Sequence, residues 1–207
     1  MCAITNPAFR FPDAGFVMAH NGHLRGFDAM RYDLLEHVPH EVSRHIAGTT
    51  DSEWICALLM AQLGDRAARP GAEDLVEATI AVLRILRDVR ARHRIETSSP
   101  VNLFMATHGS LVATRFVMDY GWYPSDDAML ELDLPYTSLW YTAGRSYVDD
   151  RDGWQMLAVD GPPEALMIAS EPLTADTSSW LEVPEYSLLS VERDSGGLSV
   201  RTIDLDV

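Results

Sequence analysis

Two of the 207 residues are cysteines, and they are the strongest nucleophiles the chain offers. Cys56 falls among Trp54, Ile55, Leu58 and Leu59 and reads as a buried core thiol, which leaves Cys2, beside Met1, as the candidate. Two cysteines build neither a disulfide framework nor a thiolate zinc site. All 16 basic residues are arginine, so Schiff bases, a phosphate-loop lysine and a lysine-activated serine are excluded. His37, His40 and His45 spread across Pro39 in no common zinc pattern, and no metal or organic cofactor is implied.

Two short polar clusters complete the inventory. His20-Asn21-Gly22 follows an apolar run, and Asn-Gly taken alone is a common hairpin turn. Thr50-Asp51-Ser52-Glu53 precedes a helical pattern and fits a capping box, with Thr50 as N-cap and Glu53 reaching back. A carboxylate at such a turn can also bind a cation by a charge-assisted hydrogen bond.

The elements that must position these groups follow from periodicity. Gly15 to His20 suits a buried strand, turned by Asn21-Gly22. Phe27, Met30, Leu34, Leu35 and Val38 have helical spacing up to Pro39. A second helix starts near Asp51, and a third runs from about Glu73 to Arg92 with Leu75, Thr79, Val82, Leu83, Leu86 and Val89 on one stripe. After Pro100 the pattern changes to strands: a hairpin over 101–107 and 110–116, then runs at 138–142, 155–159, 165–170, 186–192 and 198–203. Helices and strands segregate rather than alternate, so the class is α+β, in a single domain spanning 1–207.

Bulk properties narrow the function. The net charge of −15 repels phosphate backbones and argues against nucleic-acid binding. With 47% apolar residues, no apolar run of membrane-spanning length and no signal-peptide pattern at the start, the expectation is a soluble, cytoplasmic protein.

Together, Cys2, His20-Asn21-Gly22 and Thr50-Asp51-Ser52-Glu53 resemble the class II glutamine amidotransferases. Later segments point to one branch, which includes the ergothioneine-pathway γ-glutamyl hydrolase. They are Asn102 to Thr107 with Leu111 to Phe116, Ser138 to Tyr141, Ala169-Ser170-Glu171-Pro172-Leu173-Thr174, Trp180 to Pro184 and Ser187 to Leu189. The resemblance implies the N-terminal-nucleophile fold, an αββα sandwich of two stacked, mainly antiparallel sheets between helical layers. It implies acyl transfer to the Cys2 thiol, with the α-amine freed by removal of Met1 as base, its ordinary pKa being ~7.7–8.0. It assigns the oxyanion hole to the Asn21 carboxamide and the Gly22 N–H. On the substrate-binding side it places Asp51 against the α-ammonium of glutamine or a γ-glutamyl conjugate, with His20 orienting the turn and Thr50 capping the helix.

The chain departs from the family in one place. Family members carry a long segment between the cysteine and the His-Asn-Gly motif, including an arginine for the substrate's α-carboxylate. Here eighteen residues separate Cys2 from Asn21, so the N-terminal strands are expected to be missing or shortened. Met105 to Gly109 looks like part of that motif but lies downstream, inside the strand-turn-strand. No carboxylate-binding arginine carries over, and Arg10 and Arg25 are the nearest in sequence. Two readings follow: an amidohydrolase, or a non-catalytic binding or scaffold subunit whose sheet edges a partner chain or a second copy covers.

Overall fold

The computed structural model describes residues 11, 14–118, 137–150, 153–174 and 176–207. Cys2, proposed from the sequence as the nucleophile, and Arg10 lie outside them.

The first described strand is β1 (Val17–Gly22), and it pairs antiparallel with β2 (Ser99–Ala106). Asn21 and Gly22 were expected to turn the chain. Instead they stay extended in β1, opposite Asn102 and Val101. The ladder with β2 continues past them, and the bend falls later, at Gly26 with its φ of 75°.

The apolar run from Phe27 does not form one helix. It breaks into α1 (Phe27–Met30), a 3-10 segment (Asp33–His37) and α2 (His40–Ser43). The amides of Leu34, Leu35 and Val38 each reach back three residues rather than four. That tighter winding keeps Phe27, Met30, Leu34 and Val38 inside and turns Leu35 outward. His93 meets Asp33 at 2.6 Å, tying the 3-10 segment to the C-terminal end of the long helix over Ala72–Arg92.

α3 (Asp51–Leu63) is buried on nearly every side, including Glu53, Trp54, Ile55, Cys56, Leu58, Leu59 and Leu63. Such a helix belongs in the middle of a core rather than on its surface. α4 (Ala72–Arg92) is amphipathic, and the stripe from Leu75 to Val89 is buried as expected. Asp74 accepts from the Gly71 N–H at 2.9 Å at its start.

β3 (Ser110–Arg115) returns from β2, and β4 (Val117–Met118) pairs with the start of β2. Where β3 kinks into β4, side chains replace the ladder. The Thr114 hydroxyl donates to the Val101 carbonyl and accepts from the Leu103 N–H, and Asn102 Oδ1 accepts from the Phe116 N–H. β10 (Ser187–Asp194) and β11 (Gly197–Asp204) form the terminal hairpin, and β10 adds to β3. The strand order is β1-β2-β3-β10-β11, with β4 attached to β2.

A second sheet has the order β8-β5-β9, from β5 (Trp140–Gly144), β8 (Ala165–Ala169) and β9 (Leu181–Glu182). β6 (Ser146–Asp150) and β7 (Gly153–Leu157) form a separate hairpin. Strand alternation separates two cores. Leu103, Met105, Val112 and Leu188 face α3 and α4, whereas Ala113, Leu189 and Val191 meet Leu139 and Val183 beneath the second sheet. The architecture is therefore α+β with two stacked antiparallel sheets. Among the described residues the helices cover one face of the larger sheet. None of these helices is long and apolar enough to cross a membrane.

Candidate functional site

The site is assembled where three elements end together: the C-terminal end of β1, the N-terminus of α3 and the start of β2. Asp51 is the joint. Its Oδ2 accepts from the Leu24 N–H at 2.8 Å, and its Oδ1 accepts from the Ser52 N–H at 2.7 Å. The carboxylate thus fixes the loop after β1 against the first turn of α3.

The capping box expected here forms in altered shape. Thr50 Oγ1 accepts from the Glu53 N–H at 3.4 Å, which satisfies one helix-end donor. The Glu53 carboxylate reaches past Thr50 and takes the N–H groups of Ala47 and Gly48 at 2.8 and 2.6 Å. A buried carboxylate needs such donors, and the loop before α3 supplies two. Thr50 is therefore a cap that sets the helix start.

Two histidines meet Asp51 in different states. His20 is fully buried; its Nδ1 is 3.0 Å from Ser52 Oγ and 3.9 Å from Asp51 Oδ1. Burial pushes the His20 pKa down, against the opposing pull of the Asp51 carboxylate and the Pro100 carbonyl, and holds the ring neutral. His23 is 70% exposed, and its Nδ1 lies 3.4 Å from Asp51 Oδ2. Its backbone N–H donates to the Pro100 carbonyl at 3.1 Å.

Gly22 is required by close approach. A Cβ there would stand 2.0 Å from the Pro100 carbonyl oxygen and 2.7 Å from His20 Nε2. Asn21, exposed beside it, donates from Nδ2 to Ser170 Oγ at 3.1 Å. Ser170 lies just past β8, and its carbonyl accepts from Ser138 Oγ. The second sheet therefore holds the Asn21 amide in place from across the molecule.

Two buried arginines brace the surroundings. Arg115 donates to the Thr137 and Val183 carbonyls at 2.9 and 2.7 Å and pairs with Glu182 at 2.8 Å, pinning β9 to the end of β3. Arg90 donates to the carbonyls of Arg25 and Thr97 and to Ser99 Oγ, and Ser99 Oγ accepts from the Arg25 N–H. Arg25, one of the two arginines nearest the motif in sequence, contributes its backbone here while its side chain is exposed.

Of the sequence candidates, His20, Asn21, Gly22, Thr50 and Asp51 come together. Ser52, His23 and Ser170 were not singled out as site residues. Ser52 lies inside the second motif and His23 adjoins the first, but Ser170 is far away in sequence and only folding connects it to Asn21. His37, His40 and His45 gather into no metal-ligand group among the described residues. A cavity of about 470 Å³, lined by Phe11, Pro39, Val42, His45, Met60 and Asp65 among others, opens between α2 and the end of α3, and none of His20, Asn21, Gly22, Thr50 and Asp51 lines it.

Comparison with known proteins bears on the fold. The chain is 28% identical over 188 residues to the probable glutamine amidotransferase DUG3 of Saccharomyces cerevisiae, a match covering 85% of this chain and 49% of that one. It superposes on a solved glutamine aminotransferase class-II domain protein from Silicibacter pomeroyi with a TM-score of 0.56, at 21% identity, over 97% of this chain and 71% of that one. The chain is similar to class II glutamine amidotransferases in sequence and in fold. Its fold is the N-terminal-nucleophile fold of that family's glutaminase domains. The chain spans about half the length of the yeast relative. No family model matches the sequence.

Proposed function

We propose that this amidotransferase-like chain hydrolyses a γ-glutamyl amide, free glutamine or a γ-glutamyl conjugate, through a thioester on Cys2. The observation that supports it most is the meeting of Asn21, Gly22 and Asp51 at one end of β1, with Asn21 held by Ser170 and Asp51 by Leu24 and Ser52.

Each group has capacity left for a substrate. The Asn21 amide nitrogen carries two hydrogens, and Ser170 takes one. The His23 N–H points at β2, so the alternation of an antiparallel ladder turns the Gly22 N–H the other way, off the edge of β1. Those two donors suit the oxyanion. A carboxylate offers roughly four lone-pair positions; the N–H groups of Leu24 and Ser52 and the Ser52 hydroxyl, 3.3 Å from Oδ1, take three, which leaves one for an α-ammonium on Asp51.

In the reaction, removal of Met1 frees the Cys2 amine, which takes the thiol proton. The thiolate attacks the amide carbon, and the oxyanion rests on Asn21 and Gly22. Collapse breaks the C–N bond, and the protonated Cys2 amine gives its proton to the leaving ammonia or amine. Water then cleaves the thioester and releases glutamate. One missing oxyanion donor costs on the order of 100–1,000-fold in rate. Intact-mass analysis with a glutamine-like diazo-ketone tests the reading. Loss of Met1 and a single adduct on Cys2, absent in Cys2→Ala, is the expected result. A retained Met1 with no adduct refutes it and favours the scaffold reading.

A further inference from the structure

Ser52 makes two bonds to one oxygen of Asp51. Its backbone N–H donates to Oδ1 at 2.7 Å, and its hydroxyl donates to the same oxygen at 3.3 Å. Oδ2 accepts from the Leu24 N–H. Each carboxylate oxygen has about two lone-pair positions, so Oδ1 is filled and the open position is on Oδ2. His23, mostly in solvent, stands 3.4 Å from Oδ2, on the side from which a ligand would come. The hydroxyl serves Oδ1 only if its hydrogen is not claimed elsewhere. His20 Nδ1 lies 3.0 Å from Ser52 Oγ, so that nitrogen either takes the hydroxyl hydrogen or gives its own. Burial holds the His20 ring neutral, with a single hydrogen to place. On Nε2 that hydrogen would be a buried donor with no partner among the described residues. On Nδ1 it is bonded to Ser52 Oγ and frees the hydroxyl hydrogen for Asp51. A buried donor left unmade is the costlier choice, so hydrogen-bond accounting selects the second arrangement.

We infer that His20, Ser52 and Asp51 form a one-way relay, Nδ1–H to Oγ and Oγ–H to Oδ1, in which Ser52 is the positioning residue that aims the open lone pair of Oδ2 at the substrate's α-ammonium. The inference rests on the proposed function and deepens it by naming the group that sets the preference for an α-amino substrate. β1 supplies His20, and α3 supplies Ser52 and Asp51, so the relay spans the joint between strand and helix. The Leu24 bond fixes Oδ2 from the loop, and the two Ser52 bonds fix Oδ1 from the helix. Held at both oxygens, the carboxylate cannot turn about its Cβ–Cγ bond. Without the hydroxyl, Oδ1 regains an open position that faces inward, the tie to β1 is lost, and an ammonium meets a carboxylate of no fixed orientation. Ser52 touches no reacting atom. Its effect falls on recognition of the α-ammonium and not on the chemistry at the thiol.

The test compares hydrolysis of L-glutamine with that of glutaramate, which differs from it only in lacking the α-ammonium, by the full chain and by Ser52→Ala and Ser52→Thr. Ser52→Ala is expected to raise KM for L-glutamine about tenfold, near the lower end of what a hydrogen bond to a charged group contributes, and to shrink the preference for L-glutamine over glutaramate by the same factor. Ser52→Thr keeps a hydroxyl and should keep the preference. A nitrogen NMR spectrum of the isotope-labelled parent reads the relay without any turnover, and His20 is expected to carry its hydrogen on Nδ1. A hydrogen on Nε2 overturns the inference. So does a preference that Ser52→Ala leaves in place, or a loss of equal size on both substrates, and each of these results leaves the proposed function standing. A parent chain that hydrolyses neither substrate and takes no Cys2 adduct overturns both.

Discussion

Replacing Gly22 with alanine tests the closest contact in the site. The added Cβ would stand 2.0 Å from the Pro100 carbonyl oxygen and 2.7 Å from His20 Nε2. A carbon-oxygen contact needs more than 3 Å, so the ends of β1 and β2 must part by about 1 Å or more. Overpacking of this kind costs ~1–3 kcal/mol. The His23 N–H to Pro100 bond, 3.1 Å long in the native fold, is lost with the displacement and adds about 1 kcal/mol. A total of about 2–4 kcal/mol lowers the melting temperature by roughly 4–16 °C for a chain of this size. Gly109→Ala is the control, because nothing lies within 4 Å of a Cβ at that turn. Its effect should stay within about 0.5 kcal/mol. Thermal unfolding of the two variants beside the parent is the assay. If Gly22→Ala melts with Gly109→Ala, the strand ends do not approach as described, and the steric account of the motif glycine fails. In glutaminase assays the same displacement moves an oxyanion donor, and about a 100-fold loss of rate is expected.

Three further outcomes follow from the buried polar groups. His20 has its pKa lowered by burial from the ordinary 6.5, so the unfolded chain binds its proton first as pH falls. Its contribution to stability is complete above about pH 6.5 and declines below that, with a slope approaching ~1.4 kcal/mol per pH unit, until the folded-state pKa is reached. Denaturant titrations from pH 7.5 to 5 should therefore be steeper in pH for the parent than for His20→Gln, and equal slopes would contradict the buried neutral ring. Burial, reinforced by Glu53 one turn earlier, pushes the Cys56 thiol up to about 12, which leaves on the order of one thiolate in 10,000 at pH 8. Iodoacetamide with peptide mapping should find Cys56 alkylated only in denaturant, and rapid native labelling would show that α3 is not packed as described. Arg115→Lys cannot reproduce a fork that serves Thr137, Glu182 and Val183 at once, and should cost about 3 kcal/mol. Hydrogen exchange at Leu181 and Glu182 should accelerate with it, and unchanged protection there would remove Arg115 from its bracing role.

Residue order alone carried the elements with strong local signals. α4 appeared as a stripe from Leu75 to Val89, α3 began at its Thr50 cap, and the terminal hairpin turned at Ser195-Gly196, between the strand runs expected at 186–192 and 198–203. Apolar periodicity and turn chemistry are properties of neighbouring residues, and the segregation of helices from strands follows from their order. The residues that gather around Asp51 were likewise legible as two motifs. What needed the tertiary structure was every choice decided by a distant partner. Asn21-Gly22 has the chemistry of a turn, but the ladder offered by β2 and the approach of Pro100 keep it extended. The run from Phe27 has helical spacing, but 3-10 bonding and the His93 to Asp33 contact break it. Glu53 satisfies Ala47 and Gly48 rather than closing its own cap, because a buried carboxylate takes the donors the fold brings to it. Ser170 joins the site only when the second sheet closes over the first and brings its hydroxyl to Asn21. Composition and local pattern were enough to name the chemical groups this protein has and to place its long helices and most of its strands. The packing of β1, β2, α3 and β8 decided which groups meet, because hydrogen-bond satisfaction and steric fit are set between segments far apart along the chain.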